Sequence, residues 1–120
     1  MKKRILVVDD NDDYRESIMY ILEDLKYEVE GCSGGKKAYD MTYVKKFDLV
    51  LSDVRMPEGD GVELLLRLRQ RDPSYPLVIL MTGFSVQDFG NLKEKGAYAI
   101  LEKPFEISHL EKVISTAISS

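Results

Sequence analysis

At 120 residues, 44% hydrophobic and 32% charged, the chain suits one globular domain with a core of its own and not a disordered segment. With 21 acidic residues against 17 Lys and Arg, the net charge is −4, which disfavours direct nucleic-acid binding because phosphate contacts need a basic footprint. A lone cysteine, Cys32, excludes an intrachain disulfide, and no apolar run reaches signal-peptide or membrane-span length, so a cytoplasmic protein without a membrane partner is expected.

The basic opening Met1-Lys2-Lys3-Arg4 runs straight into the apolar residues 5–8. Four further short runs, at 27–31, 48–52, 77–81 and 98–101, alternate with stretches of helical period, the signature of a parallel sheet covered by helices. The second run, Tyr27-Glu28-Val29-Glu30, alternates instead of staying apolar, which predicts an edge strand. Between the runs, Ile18, Ile21, Leu22 and Leu25 define the buried face of a first helix. A second helix, over residues 35–46, offers Ala38, Met41 and Val44. A third opens at Asp60-Gly61-Val62-Glu63 as a capping box and carries Leu64, Leu65, Leu66 and Leu68, its surplus leucines expected to pack between neighbouring elements. A fourth starts at Ser85 and Asp88 with Val86, Phe89 and Leu92 on one stripe. The last starts at the box Ser108-His109-Leu110-Glu111 and continues with Val113, Ile114, Ala117 and Ile118. Asn11 is expected to cap the first helix, Cys32 to be a small packed side chain and His109 to be solvated. Tyr14, Tyr20, Tyr39 and Tyr43 are expected to be partial core or surface.

The chain ends soon after the last helix, so no effector domain is expected within it. Right-handed crossovers predict a doubly wound α/β sheet of five parallel strands. Periodicity does not order the strands; the flavodoxin-like order 2-1-3-4-5 is one candidate.

In such a sheet the carboxyl ends of the strands share one edge, where open α/β sheets carry their chemistry. Asp9 and Asp10 follow the first strand, Asp53 ends the third, Thr82 follows the fourth and Lys103 the fifth. Two like charges about 4 Å apart repel by roughly 4 kcal/mol at an effective dielectric of about 20, so clustered carboxylates call for a cation. All-oxygen ligands suit a hard divalent ion such as Mg²⁺, and Lys103 adds a mobile point charge. A carboxylate nucleophile beside a metal, an ammonium and a hydroxyl is equipped for phosphoryl transfer through an aspartyl phosphate.

The segments Val7-Val8-Asp9-Asp10-Asn11, Leu51-Ser52-Asp53-Val54-Arg55-Met56-Pro57, Asp60-Gly61, Met81-Thr82-Gly83 and Lys103-Pro104-Phe105 together resemble the receiver domain of two-component response regulators, of the chemotaxis-regulator kind. Five motifs in register, over essentially the whole chain, are far more specific than any one of them. The resemblance implies a single receiver domain over residues 1–120 with the flavodoxin-like (βα)5 fold and strand order 2-1-3-4-5. It makes Asp53 the phosphoacceptor, Thr82 the switch hydroxyl and Lys103 the phosphate-pairing lysine. Asp9, Asp10, Asp53 and the backbone carbonyl of Arg55 become the ligands of Mg²⁺, for which Mn²⁺ can substitute. The donor would be a sensor histidine kinase or a histidine phosphotransfer protein, and the output recognition by a downstream protein, with a phosphorylation-dependent homodimer as a further mode. Only self-phosphorylation and slow self-dephosphorylation are expected as activities. Pro104 matches the family's proline after the lysine, often preceded by a cis bond.

Two departures stand out. Many receivers carry an aromatic three residues before the lysine, which moves inward with the threonine; here Ile100 stands there, with Tyr98 two residues earlier on the same sheet face. Activation is therefore expected to move Thr82 and reshape the fourth-helix surface through Ile100. Arg55 and Phe84, two residues after Asp53 and Thr82, flank the phosphate in the family and predict slowed self-hydrolysis. The family's output surface would include Lys93, Glu94, Glu102, Glu106 and Lys112, expected to be exposed.

Two other functions compete. A haloacid-dehalogenase-like aspartyl-phosphate hydrolase would carry Asp-x-Asp after the first strand, where this chain has Asp9-Asp10-Asn11. A flavodoxin-like cofactor binder would want a Ser/Thr/Gly-rich phosphate cradle there, which Asp9 and Asp10 would repel.

Overall fold

The three most apolar runs become the centre of the sheet. In the computed structural model, which describes residues 2–56, 60–83 and 91–119, β1 (Arg4–Val8), β3 (Leu49–Asp53) and β4 (Leu77–Thr82) lie between the edge strands β2 (Glu28–Cys32) and β5 (Ala99–Glu102). All pairings are parallel and the order is β2-β1-β3-β4-β5, the flavodoxin-like arrangement. A central strand must be apolar on both faces because helices cover both, whereas the alternating β2 is completed on one side only.

Strand alternation divides the core in two. Leu6, Val8, Val50, Val78 and Leu80 face α2 (Gly35–Val44) and α3 (Gly61–Arg71), whose Ala38, Leu64, Leu65 and Leu68 close that layer. Ile5, Val7, Leu49, Leu51, Ile79 and Met81 face α1 (Asp12–Asp24) and α4 (Ile107–Ser119) through Ile18, Leu22, Leu110, Ile114 and Ala117. Each leucine fully buried in this way contributes about 2 kcal/mol of apolar transfer free energy.

The helix starts matter most for the site. Asn11 caps α1 by accepting the Tyr14 N–H at 3.0 Å, and Asp12 and Asp13 in the first turn suit the positive end of the helix dipole. Asp60 caps α3 by accepting the Glu63 N–H at 2.8 Å. Gly61 follows it because the chain doubles back onto β3: a Cβ there would lie 2.3 Å from the Asp53 carbonyl oxygen. At the far end of α3, Arg69 donates to the carbonyls of Gly96 (3.2 Å), Asp72 (3.0 Å) and Pro76. This ties the approaches to β4 and β5 together.

Several expectations are corrected. Val44 is 85% exposed, because six residues past Ala38 the helix has turned about 120° off the buried stripe. Thr42 and, beyond the helix end, Phe47 are buried instead. The second helix accordingly stops at Val44 and not at residue 46. Leu66 is 40% exposed, on the side of α3 turned from the core, so that leucine is not packed between elements. The last helix begins at Ile107, which places Ser108 inside its first turn. The Glu106 carbonyl accepts from the His109 and Leu110 amides, and the Ser108 hydroxyl meets Glu106 Oε2 at 3.5 Å. The expected Ser108–Glu111 box is not formed. The predicted fourth helix, from Ser85 through Phe89, lies outside the described residues, as do Pro57 and Phe84.

Candidate functional site

Register delivers the acidic residues to one edge. Val8 pairs with Ser52, so the chain leaves β1 as Asp9 beside Asp53 at the end of β3. Asp9 is 1% exposed and held at three points. Its amide donates to the Cys32 carbonyl (3.1 Å), its carbonyl accepts from Arg15 Nη1 (2.7 Å) and its Oδ1 accepts from the Asn11 amide (2.9 Å). Asp53 is half-buried, and its Oδ1 accepts from the Val54 amide at 3.0 Å. The Asp53 carbonyl accepts from Ser52 Oγ at 2.8 Å, and the Val54 carbonyl accepts the Gly61 amide at 2.8 Å. These bonds set the direction in which the Asp53 carboxylate leaves the sheet. Asp10 completes the group from the exposed side.

One carboxylate oxygen from each of Asp9, Asp10 and Asp53 lies within 4.8 Å of the others. Lys103 Nζ sits 3.3 Å from Asp9 Oδ2 and 3.6 Å from Asp53 Oδ2. One lysine against three acids leaves an excess of negative charge. Burial, reinforced by Asp9 and Asp10, pushes the Asp53 carboxyl above its ordinary value despite the opposing pull of Lys103 and the Val54 amide. An all-oxygen, over-charged pocket of this kind fits a hard divalent cation and is poorly suited to soft metals, which prefer thiolate or imidazole.

The remaining expected residues are arranged around this centre. Asp53 pairs with Met81, which leaves Thr82 one residue further along β4, buried at 1% exposure. The Thr82 carbonyl accepts the Lys103 amide at 2.6 Å, and Thr82 pairs with Glu102, so β4 and β5 present hydroxyl and lysine at the same edge. The Lys103–Pro104 bond is cis. Arg55 is exposed in the segment leaving Asp53. Ile100 pairs with Leu80 and packs on the α2–α3 layer. Tyr98 precedes β5, is 36% exposed and donates its amide to the Val78 carbonyl, four residues before Thr82 on β4. That separation corresponds to about 13 Å along the strand. Lys93, Glu94, Glu102, Glu106 and Lys112 are all exposed.

Three contributors were not assigned to the site from sequence, where Tyr14 was expected only as partial core or surface. Arg15 braces the Asp9 carbonyl, and Ser52 braces that of Asp53. Tyr14 carries Lys103: the ammonium lies 4.2 Å from its ring centroid. Burial, then the charges of Asp9 and Asp53, push its phenol up. Their signal was positional, since Tyr14 and Arg15 stand in the first turn of the helix that starts directly after the acid pair.

The response regulator receiver domain model matches residues 5–115. The chain belongs to the response regulator receiver domain family. Such receiver domains are signalling modules phosphorylated on an aspartate by sensor kinases. The transcriptional regulatory protein CrdR of Helicobacter pylori is 37% identical over 92% of this chain and 53% of its own length. The response regulator protein PilR of Pseudomonas aeruginosa is 29% identical over 98% of this chain and 26% of its own. The receiver domain thus spans about a quarter to about half of these curated relatives. Among solved structures, the receiver domain of the sensor histidine kinase PA1611 from P. aeruginosa, with a magnesium ion coordinated in its active-site cleft, superposes with a TM-score of 0.89 at 27% identity, each chain fully covered. The chemotaxis protein CheY4 of Vibrio cholerae gives a TM-score of 0.88 at 28% identity, over 98% of this chain and 99% of its own. An acid pair after β1 with a lone aspartate after β3 is the receiver arrangement and not the Asp-x-Asp of the haloacid-dehalogenase alternative.

Proposed function

We propose that Asp53 is the phosphoacceptor of a single receiver domain spanning residues 1–120, with a phosphohistidine on a sensor histidine kinase or a histidine phosphotransfer protein as donor. The observation that carries this reading is the cluster itself: three carboxylates converge within 4.8 Å, and Lys103 spans the buried Asp9 and the more accessible Asp53. Of the acids, Asp53 combines partial exposure with a lysine on one oxygen and a backbone amide on the other.

In the transfer, an Asp53 carboxylate oxygen attacks phosphorus in line. The new P–O bond forms as the P–N bond to the donor imidazole breaks, and the nitrogen leaves with the electron pair. Lys103 follows the charge from carboxylate to phosphoryl oxygen over a short distance, and the Thr82 hydroxyl donates to another of those oxygens. Asp9, Asp10, Asp53 and the Arg55 carbonyl would hold Mg²⁺, with Mn²⁺ as a substitute, and the ion would supply charge neutralisation at the phosphoryl group. The rigid hold on Asp9 supports this role, because a ligand pinned at three points loses little freedom on binding.

The output is recognition by a downstream protein, or pairing of two copies, through the surface around Lys93, Glu94, Glu102, Glu106 and Lys112. Thr82 movement reaches that surface through Ile100, since Tyr98 lies too far down the strand to follow the hydroxyl directly. The net charge of −4 supports protein partners over direct nucleic-acid contact, and the described residues include no helix long and apolar enough to cross a membrane. We place the protein in the cytoplasm, acting as a signalling module whose own chemistry is limited to gaining and slowly losing its phosphoryl group. Arg55 beside Asp53 supports slow loss through pairing with phosphoryl oxygens.

The test is intact-protein mass spectrometry after acetyl phosphate and Mg²⁺. Wild type gains one phosphoryl group and Asp53→Asn gains none. An adduct of equal yield on Asp53→Asn removes the assignment.

A further inference from the structure

Lys103 rides on a long flexible stem, and its ammonium contacts two carboxylates, those of Asp9 and Asp53. On its own this would leave the side chain several rotamers, including ones directed to solvent. The structure supplies a further wall. Tyr14, in the first turn of α1, places its ring 4.2 Å from Lys103 Nζ, while that nitrogen remains 3.3 Å from Asp9 and 3.6 Å from Asp53. The ring is itself held in place. Its backbone amide is bonded to the Asn11 cap, the neighbouring Arg15 is bonded to the Asp9 carbonyl, and Tyr14 packs against the α1–α4 layer of the core. Aromatic faces attract ammonium groups through the ring quadrupole, most strongly where water is partly excluded. The Lys103 side chain is 24% exposed.

We infer that Tyr14 is a positioning residue for phosphoryl transfer: its ring holds the Lys103 ammonium beside Asp9 and Asp53, ready for the incoming phosphoryl group. This rests on the reading of Asp53 as acceptor. An aliphatic side chain at residue 14 would fill the same space with no quadrupole and would leave the ammonium two partners where it now has three. Phosphoryl transfer depends on charges already in place, so a lysine that must be recaptured from solvent is a slower catalyst. The hydroxyl of Tyr14 is not needed for this role; the ring is.

Three variants test it: Tyr14→Phe keeps the ring, while Tyr14→Leu and the more adaptable Tyr14→Met remove it. Phosphorylation by acetyl phosphate with Mg²⁺ is followed by mass spectrometry, and thermal midpoints show which variants fold. Tyr14→Phe should match wild type, and the folded non-aromatic variants should react about five-fold more slowly. In a Lys103→Ala background the same replacements should produce no further slowing. Independently of phosphorylation, the Lys103 ε-methylene protons should show an upfield ring-current shift in wild type and Tyr14→Phe that is lost in Tyr14→Leu and Tyr14→Met. Wild-type rates in the non-aromatic variants, a Phe variant as slow as Leu, or equal slowing with and without Lys103 would each overturn the inference while leaving Asp53 as acceptor. Phosphorylation surviving in Asp53→Asn would instead overturn the underlying reading, and the inference with it.

Discussion

Replacing Asp53 by Asn should stabilise the metal-free protein. Asp9 and Asp10 present carboxylate oxygens within 4.8 Å of Asp53, a distance at which each repels it by about 3.5 kcal/mol at an effective dielectric of about 20. Asp10 is exposed, so solvent screens about half of its share. Lys103, at 3.6 Å, returns about 4.6 kcal/mol on the same scale. The charges alone therefore leave about 0.6 kcal/mol of net repulsion, and desolvation of a half-buried carboxylate adds a similar amount. Asparagine keeps an oxygen for the Val54 amide, so the local hydrogen bond survives the exchange. The expected gain is about 1 kcal/mol, or about 4 °C in midpoint for a domain of this size.

The pH dependence has a definite sign. The folded-state pKa of Asp53 is raised, so between the unfolded value near 3.9 and the folded one the native state binds more protons. Stability attributable to this group then falls as pH rises through that window. The advantage of Asp53→Asn should be absent below about pH 3.9 and complete once pH exceeds the folded value. The assay is urea and thermal unfolding of both proteins in EDTA across this range. Millimolar Mg²⁺ should narrow the gap at neutral pH, since a ligand of the folded state stabilises by mass action. A variant no more stable than wild type in EDTA at neutral pH would refute the electrostatic account of the pocket.

Two further outcomes are expected. Gly61→Ala would drive a Cβ to 2.3 Å from the Asp53 carbonyl oxygen, which is backbone and cannot step aside; a loss of about 2 kcal/mol or more in urea unfolding is expected, and an unchanged midpoint would contradict the packing at α3. Asp72 behaves oppositely to Asp53. The amides of Ser74 and Tyr75 donate to its Oδ1 at 2.8 and 2.9 Å and hold its carboxyl below the usual range, so its contribution is present above about pH 3.9 and lost as pH falls through the folded value. Asp72→Asn should be less stable than wild type at pH 7 and should converge with it in acid; parallel curves at all pH values would show that the charge at this turn is irrelevant.

Much of the fold was legible because its signals are local. Short apolar runs marked five strands of a covered parallel sheet, and the alternation of β2 marked an edge, since each follows from which strand faces are covered. The caps at Asn11 and Asp60 were readable because an Asx side chain needs only its own next turn. Local signals also misled. Val44 shares a three-residue spacing with Ala38 and Met41, yet two such steps drift off the helix stripe. Ser108 and Glu111 have the spacing of a capping box, but the helix had already begun at Ile107. A box pattern fixes a helix start only if the preceding residues are not themselves helical.

The sequence by itself determined which residues would meet at the carboxyl edge of the sheet: Asp9, Asp10, Asp53, Thr82 and Lys103 each end or follow a strand, and parallel strands must share that edge. Tertiary structure decided how they meet. Lys103 and Asp9 are 94 residues apart in the chain, and no periodicity says that the ammonium will sit between two carboxylates and over the Tyr14 ring. Nor could it say that Gly61 must lie against the Asp53 carbonyl, or that Arg69 would join the approaches to β4 and β5. Side-chain period depends on a residue's own backbone, whereas these contacts depend on how far one packed layer stands from the next.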